Sequence, residues 1–329
     1  MRPDKITPMN LLFYAIALPL FILWIPILIP CVMVAWYKQV KVSKKLGISQ
    51  TAIEIIHGRY TMHTFGLRHD PFSVSLARAL PNAAPRAVNL SIYPLLIAHK
   101  ITGRYALYMR EPPVGHERIS DMVPVRTLHI DELLNKTFPR VDHFVSLGAG
   151  MDTRSLLFKQ EGLAAIEVDQ AHNQEFKRKI LETLPDDYSS VTYLAVDFEK
   201  DDLFEKLGAS DAFQAAKPTV YLWEGVTLYL SEDAIRQTLH SLKQNSAPGS
   251  RVVCDFYSLN FLQTLKRTAG ASTLEDTGES LVFGLDFNED WEQTLRSFVE
   301  REGGTLSEAR FLGEQGKAGP FMVVAAIDF

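Results

Sequence analysis

Four short groups of residues carry side chains suited to holding a small charged, nucleoside-like ligand. The first, Gly148-Ala149-Gly150-Met151-Asp152-Thr153-Arg154, follows an apolar run of strand length. Gly148 and Gly150 let the backbone approach a ligand where a Cβ would intrude, and a helix starting just beyond would aim its amides at it. Thr153 stands where the third glycine of GxGxxG would fall, which counts against a close-packed pyrophosphate site. About twenty residues on, Glu167-Val168-Asp169 closes a second run. Strand alternation puts the two carboxylates on one side, and Asp169 is placed to accept ribose hydroxyls or to cap the next helix.

Asp197-Phe198 ends a third run, an acid suited to the exocyclic amine of adenine and an aromatic suited to its face. As a bare dipeptide it also reads as a cap followed by a core residue. Trp223-Glu224-Gly225-Val226-Thr227-Leu228-Tyr229-Leu230 closes the fourth run. Glu224 lies in an apolar setting where a lone charge is costly, so it requires a partner: a bound sulfonium, an amino group or a buried arginine. Tyr229 and His240 could accept protons, but no catalytic base is assigned. His57, His63 and His69 recur every six residues rather than at i, i+4, and are read as holding no metal.

Stepping along the chain gives the elements that must position these groups. Strand-length apolar runs fall at 143–150, 163–169, 191–197, 218–225 and 250–257, with helical segments at 152–160, 171–184, 201–208 and 231–245. Asp152 and Ser231 are placed as caps. Strands alternating with helices predict right-handed crossovers and a parallel sheet covered on both faces. An irregular stretch (269–287), a helix from about 288 to 302, and two closing strands (306–312 and 321–329) joined by a Gly-rich turn complete this part. The fold expected is α/β, a doubly wound, mostly parallel, Rossmann-like sheet of seven strands over 141–329. Residues 46–140 precede it as a helical cap broken at Pro71, Pro81–Pro85 and Pro112–Pro113.

GAGxDTR, then ExD, then DF, then WEGxxxYL is similar to the leucine carboxyl methyltransferase family and its bacterial relatives, the S-adenosylmethionine-dependent methyltransferases. The likeness covers roughly residues 54–329 and implies the class I methyltransferase fold with S-adenosyl-L-methionine as cofactor. By position, it assigns the cofactor carboxylate to Arg126 and the ribose to Asp169. Adenine contacts would fall on Asp197 and Phe198, and the acid facing the cofactor on Glu224. His69-Asp70-Pro71 also resembles the family's N-terminal region, with Arg59 as a looser match for a residue holding the methionine moiety. Segment 81–118 has no counterpart in the resemblance and lies where substrate-covering elements belong.

The first forty-five residues differ from the rest. The chain has 329 residues, 47% hydrophobic and 22% charged, a globular composition with a formal net charge of −5. Arg2, Lys5, Lys38, Lys41, Lys44 and Lys45 face Asp4 alone in residues 1–45, so the remaining chain is more acidic than the whole. An acidic body argues against sequence-blind nucleic-acid binding. Cys31 and Cys254 support neither a disulfide framework nor a multi-thiolate zinc site.

Leu11 to Trp36 is almost wholly apolar, and its twenty-six residues would make a helix of about 39 Å, enough to cross a bilayer. The run is too long for the apolar region of a signal peptide, and no small-residue cleavage site follows. We therefore expect a single transmembrane helix within 1–45, its lysine-rich end cytoplasmic and the body on that side. A second apolar stretch, Ala87 to Ala98, is too short to span and reads as a core or interface-lying helix. The function expected is a membrane-tethered O-methyltransferase acting on a carboxylate or hydroxyl of an apolar small molecule. Protein carboxyl methylation and non-catalytic binding are the alternatives. A nicotinamide-dependent dehydrogenase is disfavoured by Thr153 and by the closing hairpin.

Overall fold

The computed structural model describes residues 8–105, 109–185, 188–267, 280–287, 290–313 and 320–329. The expected irregular stretch falls outside these over 269–279, as do the start of the expected 288–302 helix and most of the Gly-rich turn. The seven strands are β1 (His143–Leu147), β2 (Ala164–Asp169), β3 (Val191–Ala195), β4 (Thr219–Trp223), β5 (Arg251–Tyr257), β6 (Thr305–Leu312) and β7 (Met322–Asp328). They form one sheet in the order β3-β2-β1-β4-β5-β7-β6. β1 to β5 are parallel, and β7 inserts antiparallel between β5 and β6. This is the class I methyltransferase arrangement, and the order reverses between β1 and β4, where ligands bind such sheets.

Both faces are covered, so neighbouring residues on a strand enter different cores. Val145, Val168, Tyr221, Trp223 and Cys254 pack on one side, and Phe144, Val220, Leu222 and Val253 on the other. Strands end earlier than the apolar runs suggest. β1 stops at Leu147 because Gly148 turns the chain with φ +67°. The helix expected over 152–160 is a single turn, Arg154–Leu157, because Asp152 is held outside it by two arginines. Ser231 caps helix Glu232–Asn245 as expected, accepting from Ala234 N.

The N-terminal part is helical, with no strand among the described residues before β1. Pro71 and Pro85 start helices rather than merely breaking them: each occupies the first helical position, where its missing N–H costs nothing. Helix α1, Pro8–Trp36, runs through Pro19, Pro26 and Pro30, then continues by a π-helical turn, Tyr37–Val42, to Leu46. Over Pro8–Leu46 it is long and apolar enough to cross a membrane. Gly47, with φ +65°, ends it, and Ser49 caps the next helix, Gln50–Thr64. The apolar stretch from Ala87 is two helices, Pro85–Ser91 and Tyr93–Thr102, and both lie against α1.

Candidate functional site

The site lies at the carboxyl ends of β1, β2, β3 and β4. After β1 the loop doubles back so that Gly148 N and Ala149 N both donate to Val168 O of β2, at 2.7 and 3.0 Å. Gly148 is required twice over: its φ is left-handed, and a Cβ there would overlap Val226 Cγ2 from the loop after β4. Gly150 N donates to Asp169 Oδ2 at 2.6 Å. Asp169 Oδ1 accepts from Gln170 N and Asn173 Nδ2. Three of about four acceptor positions on this carboxylate are thus filled, leaving one. The residue capping the next helix is Gln170 rather than Asp169.

Thr153, in the third-glycine position, is fully buried and bonded to Ser73 Oγ at 2.8 Å and Asp70 Oδ2 at 3.1 Å. It ties the loop to helix Pro71–Ala79. At the end of β3, Asp197 lines an open cleft of about 500 Å³ with Gln170, Ala171, Ala195 and Val196. The hydrogen bond from Lys200 at 2.7 Å holds its carboxyl below the usual range. Phe198 packs toward the core instead, its ring 6.1 Å from that of Trp223.

Glu224, just past β4, is the centre of a buried ionic cluster. Arg59 Nη2 reaches it at 2.9 Å, Arg126 Nε at 3.0 Å, and Arg154 Nη1 also contacts it. Arg59 and Arg154 each bind Asp152 at 2.7 Å as well. Arg126 Nη1 turns to β5, meeting Asp255 Oδ2 at 3.0 Å and Tyr257 OH at 2.6 Å. Asp131 links Arg154 to Arg68, which pairs with Asp70. Burial alone would raise the Glu224 pKa, but Arg154, Arg126 and Arg59 outweigh it and hold the carboxyl at about 2. Asp255 has one guanidinium and the Gly225 N–H, so burial prevails and pushes it up to about 6.

Of the residues singled out from sequence, Gly150 and Asp169 are directly bonded, with Gly148 in the same loop, and Arg126 and Glu224 form another pair. Asp152 and Arg154 join the two sets. Arg59, loosely matched at first, is central, whereas Asp255 and Tyr257 were missed. An acid and a tyrosine late in an apolar strand read as ordinary strand ends, and only pairing with Arg126 reveals them. Of the two residues available as bases, Tyr229 OH meets Thr51 Oγ1 at 2.9 Å. His240 faces Gln244 on the exposed face of its helix.

Two buried donors of the cluster, Arg59 Nε and Arg68 Nη2, have no hydrogen-bond partner among the described residues, whereas Arg126 Nε and Glu224 Oε1 face each other at 3.0 Å without an aligned hydrogen bond. A zwitterionic amino-acid group offers one anionic and one cationic end to such a set. In charge, the guanidinia and the Glu224 carboxylate would match the methionine portion of S-adenosylmethionine.

Sheet order and rim chemistry define a class I methyltransferase scaffold. The family model described as leucine carboxyl methyltransferase matches residues 49–243, over half of the chain, and the chain belongs to that family. Among curated relatives, a "Putative S-adenosyl-L-methionine-dependent methyltransferase" of Streptomyces coelicolor is 32% identical over 192 residues, 55% of this chain and 66% of that protein. One of the same name from Mycolicibacterium gilvum is 29% identical over 218 residues, 64% of this chain and 70% of that protein. The chain thus spans about two-thirds of the length of these relatives. A solved Pyrococcus horikoshii protein superposes with a TM-score of 0.43 at 15% identity, covering 62% of this chain and 89% of that one.

Proposed function

We propose that the protein is an S-adenosylmethionine-dependent O-methyltransferase, tethered to the cytoplasmic face of a membrane. Its acceptor would be a carboxylate or hydroxyl on an apolar small molecule. The observation that carries the reading is the convergence of Asp169, the Gly148–Gly150 loop and the Arg59–Arg126–Arg154–Glu224 cluster on one rim of the sheet. The apolar helix α1, beside that rim in sequence, supports the membrane location and the apolar acceptor.

S-adenosylmethionine supplies a methyl group already attached to a good leaving group. The protein's residues need only bind, orient and exclude water. Asp169 would accept from a ribose hydroxyl through its remaining lone pair, and Asp197 would face adenine. Arg59 and Arg126 would hold the α-carboxylate, and Glu224 the α-amino group. With Arg59, Arg126 and Arg154 around it, Glu224 stays ionised at neutral pH, and its lowered pKa makes it a weak proton acceptor. An acceptor carboxylate needs no base. A hydroxyl would profit from a base, and none is assigned.

The test is incubation of membranes containing the full chain with methyl-labelled S-adenosylmethionine, followed by solvent extraction. Label in solvent-soluble products supports the reading, base-labile if the acceptor is a carboxylate and base-stable if it is a hydroxyl. Label confined to protein would establish the protein carboxyl alternative, and tight cofactor binding without any product would establish a non-catalytic module.

A further inference from the structure

We propose that α1 does not cross the bilayer but lies along one leaflet, pressed between the lipid and the body of the protein. The inference rests on the membrane location above and replaces the transbilayer orientation that hydropathy alone suggests. A crossing helix is surrounded by lipid or other membrane helices for about twenty residues, while a soluble body stays beyond the headgroups. Here the body accompanies α1 along its length.

Three contacts set the geometry. Near the start of α1, Phe13 and Ala17 join a buried cluster with Met62 and Phe65, at the end of helix Gln50–Thr64, and with Leu95 and Ala98. In the middle, Trp24 Nε1 donates to Leu90 O at 2.7 Å, and its ring stacks on Tyr93 at 5.4 Å. At the far end, Lys38 Nζ donates to Ala83 O at 3.1 Å, and Asn82 Nδ2 to Ser43 Oγ at 3.0 Å. Segment 82–98 therefore runs antiparallel to α1, from Ser43 back to Phe13. Phe13 to Lys38 alone would measure about 38 Å, more than a bilayer core. A crossing would carry Arg86 and Lys100, both exposed on the flanking helices, into hydrocarbon.

The burial pattern agrees. Phe13, Ala17, Phe21, Trp24, Cys31 and Ala35 are buried or half-buried, a stripe at helical spacing that continues through the whole helix. The opposite side is open and apolar: Ile22 is 68% exposed, Leu23 76% and Met33 64%. Leu90, Tyr93 and Ile101 extend this surface from the neighbouring helices. Trp36 and Tyr37 follow at its end, and Lys44 and Lys45 are exposed just beyond, where anionic headgroups would meet them. An apolar face bordered by aromatic and then basic residues is suited to one leaflet with its headgroups.

The experiment uses the full chain with an epitope tag at its N-terminus, in sealed vesicles prepared with the cytoplasmic face outward. Protease is added before and after permeabilisation, with a body antibody as second readout. The proposal expects the chain to sediment with the vesicles and to lose tag and body together from the outside. A tag protected until permeabilisation, while the body is digested, establishes a crossing helix and overturns the proposal. A chain left in the supernatant, whether monomer or dimer through this face, instead overturns the membrane location on which the proposal rests.

Discussion

Glu224 and Asp255 share Arg126, yet the structure assigns them opposite energetic signs. Glu224 falls from its ordinary 4.5 to about 2. At 1.36 kcal/mol per pH unit this corresponds to about 3 kcal/mol of stabilisation, present above the unfolded pKa and lost as pH falls toward 2. Asp255 rises from 3.8 to about 6, so its ionised form costs stability of similar size at neutral pH. That cost disappears on acidification below the unfolded value. Glu224→Gln removes the charge facing three guanidinia and should lose about 3–5 kcal/mol at pH 7, as for one partner of a buried pair. Asp255→Asn keeps an acceptor for Gly225 N–H and leaves Arg126 paired with Glu224, so its loss should stay below about 1 kcal/mol. Chemical denaturation in detergent micelles at pH 7 measures both. If Asp255→Asn proves the more damaging, or Glu224→Gln is neutral, the charge balance derived for this cluster is wrong.

Three further outcomes follow from the same geometry. Asp169→Ala removes a charged acceptor worth about 1.5–3 kcal/mol, which should weaken S-adenosylmethionine binding roughly 10- to 150-fold by calorimetry. Unchanged affinity would remove Asp169 from the site, and heat from NAD in the parent protein would favour the dehydrogenase reading. Gly148→Ala should destabilise by at least about 1 kcal/mol from its left-handed backbone alone. Adding Val226→Ala should recover only the steric part, read as the melting temperature of the double variant against the single. His57 is pushed down to about 4, chiefly by burial and then by Lys38, and its Nε2 accepts from Ala84 N. Its folded pKa lies below the unfolded 6.5, so its stabilisation is lost as pH falls from 6.5 through 4. The stability difference between parent and His57→Gln should shrink over that window, and a parallel pair of curves would contradict it.

Much of the rim was legible because its residues sit at strand ends in short, spaced groups. A glycine pair after an apolar run, and an acid about twenty residues later, is local information. The insertion of β7 between β5 and β6 is not local, although two closing strands were visible. The ionic cluster was half legible: Glu224 demanded a partner, but Arg59, Arg126 and Arg154 come from separate parts of the chain and meet only through the fold. Residues 11–36 hid the most. Where every face of a helix is apolar, no contrast in the sequence distinguishes the stripe that contacts protein from the side that does not.

Residues 37–52 join α1 to the ligand rim. Leu46 O meets His172 Nε2 at 2.8 Å, at the start of the helix after β2. Thr51 reaches Tyr229, and Ala52 Cβ stands 3.9 Å from where a side chain on Gly150 would begin. The segment beside the glycine loop is thus the direct continuation of the apolar N-terminal helix, with Gly47 as the only glycine between them. Any displacement of α1 would therefore have to be absorbed at Gly47 or be passed to the residues beside Gly150.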